Sequence, residues 1–114
     1  MADLAPSHPE TINALIKAMR SAKKESLRGH AARSLGYVGL KLGEGNKNVG
    51  RIVEALRHRI GREPVERTRA TIIHALGYMR KRAAAALPEL RKASDDPSER
   101  VSKAAREALA KIAR

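Results

Sequence analysis

Hydrophobic positions recur along this chain at helical intervals, and the interval pattern itself repeats. Leu27, Ala31, Ser34, Leu35 and Val38 fall at offsets 0, 4, 7, 8 and 11, which places them on one stripe of an α-helix. The same offsets counted from Thr68 select Thr68, Ile72, Ala75, Leu76 and Met79. Counted from Val101 they select Val101, Ala105, Ala108, Leu109 and Ile112, so only Ser34 and Thr68 interrupt an apolar register. Another amphipathic segment precedes each stripe: Ile12, Leu15, Ile16 and Met19; then Val49, Ile52, Val53, Leu56 and Ile60; then Ala83, Ala86, Leu87 and Leu90. The pattern predicts an all-α chain of about six helices, paired into three hairpins over residues 8–42, 48–82 and 83–114.

The punctuation between segments fits this pairing. Ser7 with Glu10, and Asp96 with Glu99, have the spacing of capping boxes. Pro64 and Pro97 fall where a first helical turn tolerates proline. The segment "GEGNKNVG" from Gly43 to Gly50 reads as the loop between the first two repeats. It accounts for the unequal spacing of the stripes, which begin at residues 27, 68 and 101.

The segment "AAAALPELRKASDDPSERVSKAAREALAKIA", from Ala83 to Ala113, resembles a HEAT repeat. It has an Ala-Leu-Pro-x-Leu first helix, Asp96 in the turn, and then Val101, Ala105, Ala108, Leu109 and Ile112. "SLRGHAARSLGYVG" and "RTRATIIHALGYM" resemble the second helices of such repeats, including the pairs Leu35-Gly36 and Leu76-Gly77. The resemblance implies an α-solenoid, a HEAT-like or ARM-type superhelix whose second helices line the concave surface. It also implies a scaffold that binds proteins, sometimes nucleic acid, and only occasionally carries chemistry. Two departures stand out. The basic residue after the turn is present as Arg28 and Arg69 but is Ser102 in the third unit, and the turn aspartate is Ala22 and Glu63 in the first two. Since one repeat cannot bury its apolar face alone, about three units are near the minimum for a stable array. No polar capping repeat is visible, so an exposed end, self-association through it, or a place within a longer array is expected.

Composition narrows the picture. With no Phe or Trp and two Tyr in 114 residues, the core is built from Leu, Ile, Val, Ala and Met, and its Ala-rich layers suit helices that approach closely. The absence of Cys removes disulfides, thiolate metal sites and thiol nucleophiles. The longest apolar run, Ala83 to Leu87, is far short of the roughly 20 residues that span a bilayer. "MADLAPSHPE" lacks the basic start and apolar stretch of a signal peptide, so the expected location is cytoplasmic. Twenty-four Lys and Arg against twelve Asp and Glu leave a net charge of +12, which favours acidic partners.

Candidate chemistry follows from the register. Opposite the core stripe, offset 6 aligns Arg33, His74 and Glu107; offset 10 aligns Tyr37, Tyr78 and Lys111; offset 13 aligns Leu40, Lys81 and Arg114. Arg33, Tyr37, His74, Tyr78, Lys81 and Lys111 form the expected partner-binding set. The two tyrosines are either contact residues or a pair that pack on each other. Arg80 and Arg82, with Lys81 between them, are candidate contacts for phosphate or acidic groups, and Arg51, Arg57, Arg59, Arg62, Arg67 and Arg69 concentrate charge in the middle unit. Arg28 and Arg69 are alternatively suited to turn carbonyls. His30, His58 and His74 lack metal-ligand spacing, and no HExxH motif, Gly-rich phosphate loop or Ser-His-Asp relay is present. Catalytic residues, metal and cofactor are therefore all expected to be none. The leading expectation is a non-enzymatic module that binds an acidic protein or peptide on its concave face, without membrane contact. Sequence-nonspecific nucleic-acid binding on the same surface, and a subunit or fragment of a HEAT-containing enzyme, are the alternatives.

Overall fold

A computed structural model describes residues 8–43 and 45–113. The elements run α1 (Pro9–Ser21), α2 (Glu25–Lys41), α3 (Lys47–Ile60), α4 (Glu66–Tyr78), a 3₁₀ segment (Arg80–Ala86), α5 (Leu87–Ala93) and α6 (Glu99–Ala113). They stack as three hairpins, α1/α2, α3/α4 and α5/α6, in a two-layer slab measuring about 44 × 33 × 15 Å. First helices form one layer and second helices the other. The second helices pack along much of their length, whereas α1 meets α3 lightly and α3 meets the 3₁₀ segment in place of α5. A layer drawn together on one side and spread on the other curves toward the closer side, so α2, α4 and α6 line the inner face.

Helix starts differ in detail from the sequence pattern. Ser7 lies outside the described residues, and His8 caps α1, its Nδ1 accepting from the Glu10 amide at 3.1 Å. Asn46 caps α3 by accepting from the Asn48 amide, so the Gly-rich linker ends there and Lys47 to Gly50 already belong to the helix. Within the linker, Gly45 adopts φ +81°, the left-handed region that glycine enters without steric cost. Asp96 does not form the expected capping box. It accepts from the Ser98 amide at 2.8 Å, and the Ser98 hydroxyl accepts from Val101 at the start of α6. Pro64 and Pro97 precede their helices instead of lying in the first turn; Pro9 and Pro88 occupy that position. The last first-helix is also shortened. α4 stops at Tyr78, Arg80 turns the chain with φ +55°, and Ala83 and Ala86 pack from a 3₁₀ turn before α5 begins.

Small residues set the spacing of the inner layer. A Cβ placed on Gly36 of α2 would lie 2.8 Å from the Ala75 carbonyl oxygen and 2.9 Å from its Cα in α4. One repeat on, a Cβ on Gly77 would lie 3.2 Å from Ala108 Cα in α6. Ile72, Ala75, Leu76, Met79 and the central Ile52 and Leu56 are fully or almost fully buried, so the middle hairpin is covered on both sides. Leu27 is 52% exposed although its counterpart Thr68 is buried. The reason is positional: Thr68 packs beneath α2, and among the described residues no second helix precedes α2. The opposite edge is polar. Where α2 and α4 present Gly29 and Ala32, or Ala70 and Ile73, to the next repeat, α6 presents Lys103 and Arg106, both exposed.

Between the first two repeats lies a buried ion pair. Arg28 Nε and Nη2 donate to the two carboxylate oxygens of Glu63 at 2.8 and 3.0 Å, while Nη1 donates to the carbonyls of Ala22 and Lys23. Glu63 also accepts from the Val65 amide and from Arg59. Burial pushes the Glu63 carboxyl up, but Arg28, the Val65 amide and Arg59 together hold it below the ordinary carboxylate value. The glutamate therefore does the work of the missing turn aspartate with a longer arm. Arg69 repeats half of this arrangement, donating to the carbonyls of Glu63 and Pro64.

Two outcomes follow for urea or thermal unfolding. Gly36→Ala forces α2 and α4 apart and lowers stability by about 1–3 kcal/mol. Gly50→Ala, at an exposed α3 position where a Cβ meets nothing within 4 Å, raises it by about 0.5–1 kcal/mol. Equal stability of Gly36→Ala and the parent would show that this contact does not set the spacing. Glu63→Gln leaves Arg28 buried without its counter-charge and destabilises by about 3–5 kcal/mol. Because the Glu63 pKa is depressed on folding, its contribution is present above the ordinary carboxylate pKa and is lost as pH falls through the folded value. The variant should lack that acid-sensitive component.

Candidate functional site

The inner face carries the tyrosine register as a physical stack. Tyr37 on α2 and Tyr78 on α4 lie with ring centroids 5.0 Å apart and planes within 10°. Lys111 Nζ on α6 sits over the Tyr78 ring, 5.6 Å from its centroid. One residue from each second helix thus forms a continuous ladder of two rings and a cation, a geometry the ring quadrupole favours. The rings pack on each other, the mutual packing the register allowed, and Tyr37 is still 49% exposed. Leu40, nearly one turn on along α2, is also exposed, as is Arg33 one turn before Tyr37.

The neighbouring rung joins His74 to Glu107. Partial burial lowers the His74 pKa from its ordinary value, Glu107 pulls it back up, and Lys111 pushes it down. The histidine thus sits where the charges of both rungs are felt.

Other predicted positions fall elsewhere. Lys81 is exposed but lies in the 3₁₀ segment beyond the end of α4, so the helical register that aligned it with Leu40 stops short of it. Arg114 lies outside the described residues. Arg80 is exposed at the chain reversal. Arg82 is no free cation: its Nη1 donates to the carbonyls of Gly39, at 2.9 Å, Leu40, at 2.8 Å, and Leu42, so it closes the C-terminal end of α2. The middle-unit cations also divide. Arg57 bridges Glu54 and Glu89, Arg67 pairs with Glu25, and Arg69 serves its turn.

Arg51 donates to Asn48 and Asn13, Arg59 to Glu63 and Arg62 to the His58 carbonyl, and the three share a surface the sequence register did not indicate. An open groove of about 1010 Å³ on the first-helix side is lined by these three together with Arg20 of α1 and Lys47 of α3. A smaller groove of about 320 Å³ continues it past Arg20, Arg51 and Lys17. The signal available in the sequence was the spacing of Lys47, Arg51, His58 and Arg62, which recurs on one face of a helix. Among the described residues there is no group of three His, Cys, Asp or Glu placed to hold a metal ion. No described helix is long and apolar enough to cross a membrane.

With six helices, no strands among the described residues, and a repeat register ending in Gly-Ala contacts, the architecture is an α-solenoid. Residues 53–114 match the family described as HEAT repeats, and the chain belongs to that family. No curated protein and no solved structure matches it. HEAT repeats are generally scaffolds for protein interaction.

The electrostatics of the second rung yields a solution test. The His74 imidazole, followed by NMR, should titrate below the ordinary histidine value. Glu107→Gln should lower its midpoint further and Lys111→Gln should raise it; no response to either would remove those side chains from its surroundings. Because folding depresses this pKa, the associated stability is present above the ordinary histidine pKa and is lost as pH falls through the folded value.

Proposed function

We propose that this chain is a non-enzymatic interaction module that holds an acidic protein segment across the second helices α2, α4 and α6. The observation that carries this reading is the exposure of Tyr37 and Leu40 beside Arg33, on top of an already ordered ladder. Tyrosine and arginine are among the residue types enriched at interface hot spots, and Leu40 extends the apolar surface beside them. The Tyr37–Tyr78 stack fixes both rings before any partner arrives, which reduces the ordering cost of binding. Arg33 and Lys111 supply cations to either side of the rings, with Lys81 exposed at the turn after α4, and His74 adds a donor or acceptor in the adjoining rung.

The three second helices, each about 20 Å long and roughly 8–10 Å from the next, offer a face comparable to the ~800 Å² one partner contributes to a standard interface. An extended or helical peptide with an apolar anchor and flanking carboxylates fits this chemistry. Random-peptide display against the chain should enrich Asp and Glu around one large apolar residue. Tyr37→Ala should weaken the selected peptides by at least roughly 30-fold, the size of a hot-spot truncation, while lowering stability by no more than the about 0.5–1.5 kcal/mol that an aromatic pair contributes. Peptides with no acidic bias, or binding indifferent to Tyr37→Ala and Leu40→Ala, would overturn the assignment.

A further inference from the structure

The groove on the first-helix side has a charge imbalance that begins inside the fold. Glu63 is one buried carboxylate, and two guanidiniums, Arg28 and Arg59, converge on it. Arg28 already satisfies both carboxylate oxygens, so the second positive charge is left without a full counter-charge. Arg59 shows the consequence at atomic level: its Nε is buried and has no hydrogen-bond acceptor. A buried donor in that condition costs free energy until an acceptor reaches it. Arg59 lines the groove, in company with Arg20, Lys47, Arg51 and Arg62. The acidic residue in the wall, Glu54, is engaged by Arg57 at 2.9 Å.

From this arrangement we infer a second binding site, on the surface opposite the tyrosine ladder, which takes the phosphodiester backbone of double-stranded nucleic acid without reading its sequence. The cations are distributed along α3, not gathered at a point. Its 14 residues extend about 20 Å, a length over which one strand of a duplex presents about six phosphates. A lone phosphoryl group would leave most of these cations unused. The groove contains no Tyr, Phe or Trp, both tyrosines lying on the other layer, and its one imidazole, His58, is a single ring, so it has no row of rings on which successive unpaired bases stack. Backbone contact through Arg and Lys, with no base readout, is what those two facts leave.

The test is fluorescence anisotropy of the full chain with two 24-base-pair DNA duplexes of unrelated sequence, titrated between 50 and 200 mM salt. Both duplexes should bind alike, with an affinity that falls steeply as salt rises. Replacing the exposed Arg20, Lys47 and Arg62 by Gln together should reduce the slope of log K against log salt by about three, roughly one per phosphate contact removed. The unfolding midpoint should be unchanged. Tyr37→Ala with Lys111→Gln, on the inner face, should leave duplex binding within about the one unit of slope that a single lost cation contributes. The site is overturned if no duplex binds at 50 mM salt, if the triple variant keeps the parental slope, or if the inner-face variant loses as much. It is equally overturned if phosphatidylserine vesicles or a phosphoserine peptide bind the groove and the duplexes do not. None of these results bears on peptide capture by Tyr37 and Leu40, so the two surfaces stand or fall separately.

Discussion

Close approach of the second helices governs this molecule. At Gly36 and Gly77 the backbone of one helix rests on an alanine of the next: a methyl group added at Gly36 would fall within 3.0 Å of main-chain atoms of Ala75, and one at Gly77 would be tight against Ala108. Because the inner layer is held so tightly and the outer one is not, the array curves. The same spacing brings Tyr37 within stacking distance of Tyr78 and Lys111 over the ring. The geometry of the candidate binding face is thus inherited from backbone contact beneath it, not from the side chains that a ligand would touch.

The two layers divide the chemistry of the surface. Inner helices combine rings, a leucine and mixed charge, in which Glu107 and Lys111 act in opposite senses on His74. The outer layer collects arginine and lysine along α3 with little acid to offset them. The net charge of +12 is shared by both layers; what sets the outer face apart is a groove lined by cations and anchored at an internal carboxylate shared by two arginines.

Much of the fold was legible because helical periodicity and Gly-Ala spacing are local signals. The offsets that select Tyr37, Tyr78 and Lys111 from the sequence also bring them together in space. Lys81 shows where such reasoning stops: α4 ends at Tyr78 through a left-handed arginine, and neither glycine nor proline marks the spot. Arg82 and Arg28 find their partners 35 to 43 residues away, beyond the reach of any local pattern. The polar edge of α6 was present in the register as Lys103 and Arg106 replacing Gly29 and Ala32, but its place becomes evident only once offset 2 and offset 5 are known to face the next repeat. Among the charges, ion pairing decided which stayed available, and the pairing depended on tertiary distance.

The bridge from Arg28 to Glu63 also gives the array a direction. Arg28 belongs to the first hairpin and its carboxylate to the second, so the first hairpin alone cannot neutralise its own buried cation. At the next junction the corresponding arginine, Arg69, turns back to the carbonyls of its own loop, and the third unit has Ser102 in that place. The first seam therefore holds a buried ion pair, whereas the pair across the second, Arg57 with Glu89, is partly exposed. Pulled from its two ends, such an array would resist unevenly, and the order in which its hairpins detach would be written in which seam carries the buried ion pair.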